Sequence, residues 1–340
     1  MERSWILLHP HVSWWAQIPS YVFSLVATVL LCPMLRRAGV SPRASSLATA
    51  LFAVNPIVTT YATRVKPYTL EVVCAEVLII AAMSYVSRPQ TKTLVLLGLA
   101  SFISVAISFG TLVTVAALWL VVLWLTRADR RTLVRTLLGA LAAGAAALAV
   151  VAPYVLGRPP SLGDNWINRG YMLPYDSVHH WIHNAVAILS GFPHAVLNIG
   201  WHLRYDAGHG HHYALVYALA SAFALVALCV FAVWWRLGRR GRGPAAVVSL
   251  VIPLSLAAAV ADIFPFGDGR TDMVTYPVFY LMGTVAAVAI ARHWRVQADG
   301  MRRTAVALVT LVTLSAGTYF VVNKPAVYPE VDMRAILTQV

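Results

Sequence analysis

The residues of this chain with the clearest chemical potential are basic and aromatic side chains between long apolar segments. Arg64 and Lys66 lie in the segment 63–71, followed directly by Pro67 and Tyr68. Arg and Lys bind phosphate oxygens through charge-assisted hydrogen bonds, and proline fixes the backbone beside the tyrosine. These residue types at this spacing predict a phosphate-binding loop at a membrane surface. The alternative is that the two cations only extend from the apolar segments towards water.

A second basic residue, Arg270, lies in the segment 262–272 between two further apolar runs. Three acidic residues flank it, among them Asp268, and Gly267 and Gly269 allow a ligand to approach the backbone closely. The segment is typical of a ligand-binding turn, with Asp268 as a candidate substrate contact. It is equally compatible with a tight turn whose charges compensate one another.

The segment 157–212 carries the third set of candidates. Asp164 is a weak candidate for a general base, and Trp166 and Tyr171 are candidate substrate contacts because aromatic rings stack on sugars. The same aromatics also anchor helices at a membrane surface. Eight of the eleven histidines lie in this segment, including an i, i+4 pair that begins at His179. Their spacing matches no standard zinc pattern, so no metal site is expected.

Apolar helices must position all of these residues. With 59% hydrophobic and 11% charged residues, the composition lies far outside that of a soluble globular domain. Runs near the ~20 residues that cross a bilayer predict an all-α polytopic membrane protein with about ten spans, within a range of nine to eleven. These spans are 13–35, 44–63, 69–86, 93–109, 110–126, 136–156, 213–235, 244–264, 274–291 and 304–322.

We expect a single membrane domain over residues 1–340. The segment 157–212 is expected to form an outer loop with amphipathic helices lying on the membrane, and 323–340 to begin an outer C-terminal segment. Glu76 lies inside a predicted span, so it is expected to face the bundle interior and to pair with a neighbouring helix.

Basic residues concentrate at alternate junctions between the spans. Seventeen of the 26 Lys and Arg residues occupy five short loops: Arg36, Arg37, Arg43, Arg88, Lys92, Arg127, Arg130, Arg131, Arg135, Arg236, Arg239, Arg240, Arg242, Arg292, Arg295, Arg302 and Arg303. By the positive-inside rule these loops are cytoplasmic, which places Arg64 and Arg270 on the outer side. The net charge of +13 therefore indicates topology and contact with anionic membrane lipids rather than binding to nucleic acid.

Four short segments of this chain occur together in a known family. They are 13–20 (Ser-Trp-Trp-Ala-Gln-Ile-Pro-Ser), the pair Asn55-Pro56, the segment 61–68, and 265–270 (Pro-Phe-Gly-Asp-Gly-Arg). In this order the chain resembles the C-type (GT-C) integral-membrane glycosyltransferases. The resemblance is to the branch with protein O-mannosyltransferases and the lipid A aminoarabinose transferase (glycosyltransferase family 39-like), and it covers most of 13–335.

The resemblance implies transfer of a hexosyl or pentosyl group from a polyprenyl-phosphate donor to a lipid, glycan or protein acceptor. The reaction would occur at the outer face of a plasma membrane, expected to be a bacterial inner membrane. Arg64, Lys66 and Arg270 match positions expected near the donor phosphate, and Tyr68 supports the first of these segments. No cofactor and no divalent metal is implied beyond the lipid-linked donor itself.

One part of the family pattern is missing from this chain. Family members carry an acidic general base in a first outer loop, and Glu2 is the only acid near that position here. Gln17 also stands where relatives commonly carry arginine. We therefore expect that an N-terminal helix and its acidic loop are absent, and that the chain is a truncated or inactive form.

Two other function classes remain open from the sequence. A transporter or flippase for a lipid-linked or anionic solute would place Arg64, Lys66 and Arg270 along its path. A non-catalytic membrane subunit that holds a partner enzyme is the third class, and the missing acidic loop is compatible with it.

Overall fold

In the computed structural model, the structure describes residues 13–62, 68–156, 177–182, 244–261, 263–265 and 271–295. All secondary structure in these ranges is helical. Three of the helices, over residues 17–37, 68–87 and 130–153, are long and apolar enough to cross a membrane. The predicted spans 213–235 and 304–322, most of the loop 157–212, and the segment 323–340 lie outside the described residues.

Seven α-helices occupy the described N-terminal half, in which helices follow one another through short turns. They are α1 (Ser13–Arg37), α2 (Pro42–Ala53), α3 (Pro56–Ala62), α4 (Tyr68–Ser87), α5 (Thr91–Ile107), α6 (Thr111–Thr126) and α7 (Arg130–Leu156). Further along, a 3-10 turn at Pro244–Val248 precedes α8 (Val251–Val260), and another at Thr271–Thr275 precedes α9 (Tyr276–Arg295). The helices α1, α4, α5 and α6 lie within two residues of the predicted spans, and α7 begins six residues earlier than predicted.

The predicted continuous span 44–63 is wrong, because the helix breaks after Ala53. Asn55 caps the next helix, since its Oδ1 accepts a hydrogen bond from the backbone N–H of Val58 at 3.3 Å. A proline disfavours helical backbone at the residue before it, which here is Asn55, so α2 ends before Pro56. Proline is favourable at the first position of a helix, and α3 begins at Pro56. The Asn55 amide also donates to the hydroxyl of Tyr280 on α9 at 3.1 Å, which ties the break to a distant helix.

The predicted span 244–264 also differs from the structure. It begins with the 3-10 turn, and its α-helix covers only the ten residues of α8. The turn is nevertheless part of the core, because Ala245, Ala246, Val247 and Val248 are fully or almost fully buried.

The helix α4 lies at the centre of the described bundle. It contacts α1, α5, α6, α3 and α9 and both 3-10 turns, and eleven of its 20 residues are buried. In contrast, α5 and α7 expose long rows of large apolar side chains: Val95, Leu96, Leu99, Phe102, Ile103, Leu137, Leu138, Leu141 and Leu148. Such a surface is stable when lipid rather than water covers it. Three of the described helices thus have the length needed to cross a membrane, and α5 and α7 have the apolar surface of a membrane protein.

The junctions between the helices divide between two ends of the bundle, and α2 and α3 together run from one end to the other. At one end, Tyr85 in the last turns of α4 shares a hydrogen bond of 2.7 Å with Thr136 near the start of α7. We call this the arginine-rich end. All nine of its described Lys and Arg side chains are exposed: Arg36, Arg37, Arg43, Arg88, Lys92, Arg127, Arg130, Arg131 and Arg135.

Local chemistry explains the turns at the arginine-rich end. Gly39 adopts a φ of 85° after α1, a left-handed conformation that favours glycine at the C-terminus of a helix. Asp129 caps α7, because its carboxylate accepts hydrogen bonds from the Thr132 hydroxyl and the backbone N–H groups of Arg131 and Thr132. These bonds, that of the Thr132 hydroxyl first, hold the pKa of Asp129 below its usual range.

Candidate functional site

Two aromatic rings bring together the ends of the segment that contains Arg64 and Lys66. Tyr61 near the end of α3 and Tyr68 at the start of α4 pack edge to face, with ring centroids 5.0 Å apart. Tyr61 is buried and Tyr68 is half-buried. The two rings therefore join the end of α3 to the start of α4, while Arg64 and Lys66 themselves lie outside the described residues.

One turn further along α4, a buried carboxyl group is bonded to the α5–α6 junction. The Ser108 hydroxyl donates to Glu71 Oε1 at 2.5 Å, and the same oxygen of Ser108 accepts from the backbone N–H of Gly110 at 3.2 Å. Glu71 is buried, so this hydroxyl gives the carboxyl group a partner within the bundle. The bond fixes the α5–α6 junction against the first turn of α4.

The α5–α6 junction in turn contacts the segment that leads to Arg270. The rings of Phe109 and Phe264 lie 6.4 Å apart between centroids. A Cβ atom at Gly110 would stand 3.2 Å from the Phe264 ring, so the absence of a side chain allows this close approach. Asp268 and Arg270 follow a few residues later but lie outside the described residues.

The residues that follow the Arg270 segment contact α4. The 3-10 turn Thr271–Thr275 contacts α4, and its residues Met273, Val274 and Thr275 are buried. Both described flanks of the Arg270 segment therefore lie against α4 or its neighbours.

These contacts define the second end of the bundle, which we call the Tyr68 end. It comprises the start of α4, the α5–α6 junction at 108–110 and the turn 263–265. The described flanks of the Arg64 and Arg270 segments, about 200 residues apart in sequence, both lie at this end. They are linked through Glu71 with Ser108 and through Phe109 with Phe264. The Tyr68 end lies at the opposite ends of α4, α5 and α6 from the exposed cations of the arginine-rich end.

Most of the other predicted site residues lie outside the described residues: Glu2, Asp164, Trp166 and Tyr171. Of the interfacial helices predicted in the loop 157–212, only a short helical turn at 178–182 is described. It exposes Val178, Trp181 and Ile182.

The structure corrects the expectation for Glu76 in one respect. The side chain faces the bundle interior as predicted and is fully buried. Neither carboxyl oxygen, however, has a hydrogen-bond partner in the part of the chain that the structure describes. The predicted pairing to a neighbouring helix is therefore wrong within those residues.

The sequence motifs did not single out the contact between Glu71 and Ser108. Glu71 was the last residue of the Arg64 motif, and Ser108 lay between two apolar runs without a pattern of its own. An acidic residue in the first turn of a predicted span was the available signal, because a carboxyl group near lipid needs a partner.

We expect Ser108→Ala to lower the free energy of unfolding by roughly 1–3 kcal/mol, since it leaves the buried Glu71 carboxyl without its hydroxyl donor. Thermal unfolding of the detergent-solubilised protein measures this loss. Ser108→Thr keeps the hydroxyl and is the matched control. Glu71→Gln combined with Ser108→Ala tests the pair directly, since interacting residues give non-additive changes. An unchanged unfolding midpoint in Ser108→Ala would show that the bond contributes nothing.

Comparison with known proteins identifies no relative of this chain. No protein-family model, no curated protein and no solved structure matches the chain.

Proposed function

We propose that this protein is a polytopic membrane glycosyltransferase of the GT-C kind. It would move a sugar from a polyprenyl-phosphate donor to an acceptor at the Tyr68 end. The observation that carries the proposal is that the described flanks of the Arg64 and Arg270 segments lie at one end of the bundle. Cations on two segments whose described flanks lie at one end of the bundle suit a phosphate that carries a long lipid chain.

The orientation in this proposal follows from charge. The exposed cations of the arginine-rich end face the cytosol by the positive-inside rule, so the Tyr68 end faces outwards. In the proposed topology the chain has about ten spans in a plasma membrane, with the loop 157–212 on the outer side. Trp166, Tyr171 and Asp268 would then contact the substrates from outer segments.

The proposed chemistry needs little more than fixed positive charge. As the bond between the sugar and the phosphate breaks, negative charge accumulates on the departing lipid phosphate. Arg64, Lys66 and Arg270 would stabilise this charge more effectively in a partly dehydrated site than in water. A carboxylate must remove the acceptor proton, and Glu2 and Asp164 are the weak candidates for that role.

A binding measurement tests the phosphate site without knowledge of the sugar. The purified protein in nanodiscs should bind a polyprenyl phosphate and should not bind the matching polyprenol, which has the same chain but no phosphate. Equal binding of the two lipids would remove the proposed phosphate site.

A transfer measurement then separates the function classes. Radiolabelled polyprenyl-phosphate mannose, glucose and aminoarabinose are supplied to right-side-out vesicles that contain the protein. Label in an acceptor supports the enzyme, and label inside the vesicles without transfer supports a carrier. Label neither in an acceptor nor inside the vesicles supports a non-catalytic subunit.

One observation favours the carrier as the second candidate. Glu76 is a fully buried carboxyl group without a hydrogen-bond partner among the described residues, and ionisable groups inside a membrane often line transport paths. The label found inside the vesicles is the readout that would make this candidate the stronger one.

A further inference from the structure

The carboxyl group of Glu76 is enclosed on every side that the structure describes. Its side chain has no exposed surface, and neither Oε1 nor Oε2 has a hydrogen-bond partner in the described ranges. It lies eight residues into α4, about 12 Å along the axis from Tyr68 at 1.5 Å per residue. This depth is well inside a helix that is long enough to cross a membrane.

The helices packed against α4 supply no opposite charge. Within the described residues of α1, α5 and α9, the basic residues lie only in the terminal turns, as Arg36, Arg37, Lys92, Arg292, His293 and Arg295. The described residues of α3, α6 and the turn 244–248 contain none, and the turn 271–275 contains one acidic residue, Asp272. On α4 itself, Glu71 is engaged by Ser108 and Cys74 is a buried free cysteine.

An ionised carboxylate in such a place would be strongly unfavourable, since it has lost its hydration and gained no partner. A metal cation would need several oxygen ligands around it. The nearest oxygen without a partner on this face of α4 belongs to Thr69, seven residues away and therefore about 10 Å along the helix. A proton needs only one carboxyl oxygen.

We propose that Glu76 is an intramembrane proton-binding site of this protein, which holds a proton in the resting fold. Thr69 lies on the same face of α4, two turns nearer the Tyr68 end, and its buried hydroxyl also lacks a hydrogen-bond partner in the described residues. The proton therefore exchanges with water that enters from the Tyr68 end and passes this hydroxyl. The inference is independent of the sugar-transfer proposal, because it rests on α4 and its neighbours alone.

Infrared spectroscopy of the whole protein at neutral pH tests the bound proton directly. A protonated carboxyl group has a C=O stretch that a carboxylate lacks, and an acid without a hydrogen bond absorbs at the high-frequency side of that region. Glu76→Gln should remove this band, and glutamate labelled with carbon-13 should shift it. Glu76→Met should remove the same band, which keeps the test valid if one variant folds poorly.

Glu71→Gln is the matched control for the band assignment. Its carboxyl group accepts a hydrogen bond from Ser108, so any acid band that this variant loses lies at lower frequency. Loss of a carboxylate band, instead of an acid band, in Glu76→Gln and Glu76→Met would overturn the proposal.

The exchange path has its own readout. When the protein is transferred into deuterated water, the Glu76 band shifts as deuterium replaces the proton. Thr69→Val should slow this shift several-fold. Thr49→Val is the control, because Thr49 also carries a buried hydroxyl without a partner in the described residues but lies on α2. Equal exchange in Thr69→Val and the unchanged protein would overturn the assigned path.

Discussion

Arg64→Ala and Arg270→Ala should each lower sugar transfer at least tenfold, about 1.4 kcal/mol of transition-state stabilisation, in a form of the protein that transfers sugar. In the proposed site, each variant removes one positive charge from the end of the bundle at which the described flanks of both segments lie. The negative charge on the departing phosphate is greatest in the transition state, so we expect the larger part of the loss in kcat rather than in KM.

The measurement is initial-rate transfer from the radiolabelled donor in reconstituted vesicles. Arg88→Ala is the matched control, because Arg88 is an exposed cation at the arginine-rich end and its removal changes the net charge by the same amount. Arg88→Ala should leave the rate unchanged. Unchanged turnover in both Arg64→Ala and Arg270→Ala, or an equal loss in Arg88→Ala, would contradict a phosphate site at the Tyr68 end.

The helices themselves could be predicted from the sequence, because a long apolar run leaves few alternatives. A run of about 20 apolar residues between charged turns satisfies its backbone hydrogen bonds within one helix. The positions of α1, α4, α5 and α6 follow from this rule to within two residues. The start of α7 was missed because Arg130 and Arg131 are polar residues that extend the helix into water, where Asp129 caps it.

The break between α2 and α3 could not be predicted from the spacing of apolar residues alone. Apolar residues mixed with small Ser and Thr side chains run through 44–63, and Asn55-Pro56 is the signal within this run that favours a helix break. The break is stable because Asn55 satisfies the backbone of Val58 and also reaches Tyr280 on α9. The partner on α9 is 225 residues away, so only the folded structure identifies it.

The contacts at the candidate site could not be predicted from the sequence pattern either. The sequence predicted the two cationic segments and a shared side of the membrane for them, but shared sidedness does not make two loops neighbours. The described flanks of the two loops are placed at one end of the bundle by the contacts of Glu71 with Ser108 and of Phe109 with Phe264. These contacts join helices through side chains of common types, whose pairing depends on how the helices pack and not on any local pattern.

A positive charge at position 76 should be far more damaging than the loss of the carboxyl group. We expect Glu76→Lys to lower the free energy of unfolding by roughly 3–5 kcal/mol, the cost of an uncompensated charge in a buried site. A lysine there could not pair with Glu71, whose carboxyl group already accepts the Ser108 bond one and a half turns away on another face of α4. Denaturant titration of the detergent-solubilised protein measures this loss.

Two further variants serve as controls for this prediction. Glu76→Met should be as stable as the unchanged protein or more stable by roughly 1–3 kcal/mol, because it replaces a buried polar group that lacks a partner with an apolar side chain of similar length. Ala128→Lys adds the same charge at an exposed turn and should change stability by no more than about 0.5 kcal/mol. If Glu76→Lys matched Ala128→Lys, water would reach position 76, and the closed apolar environment on which the proton site depends would be absent.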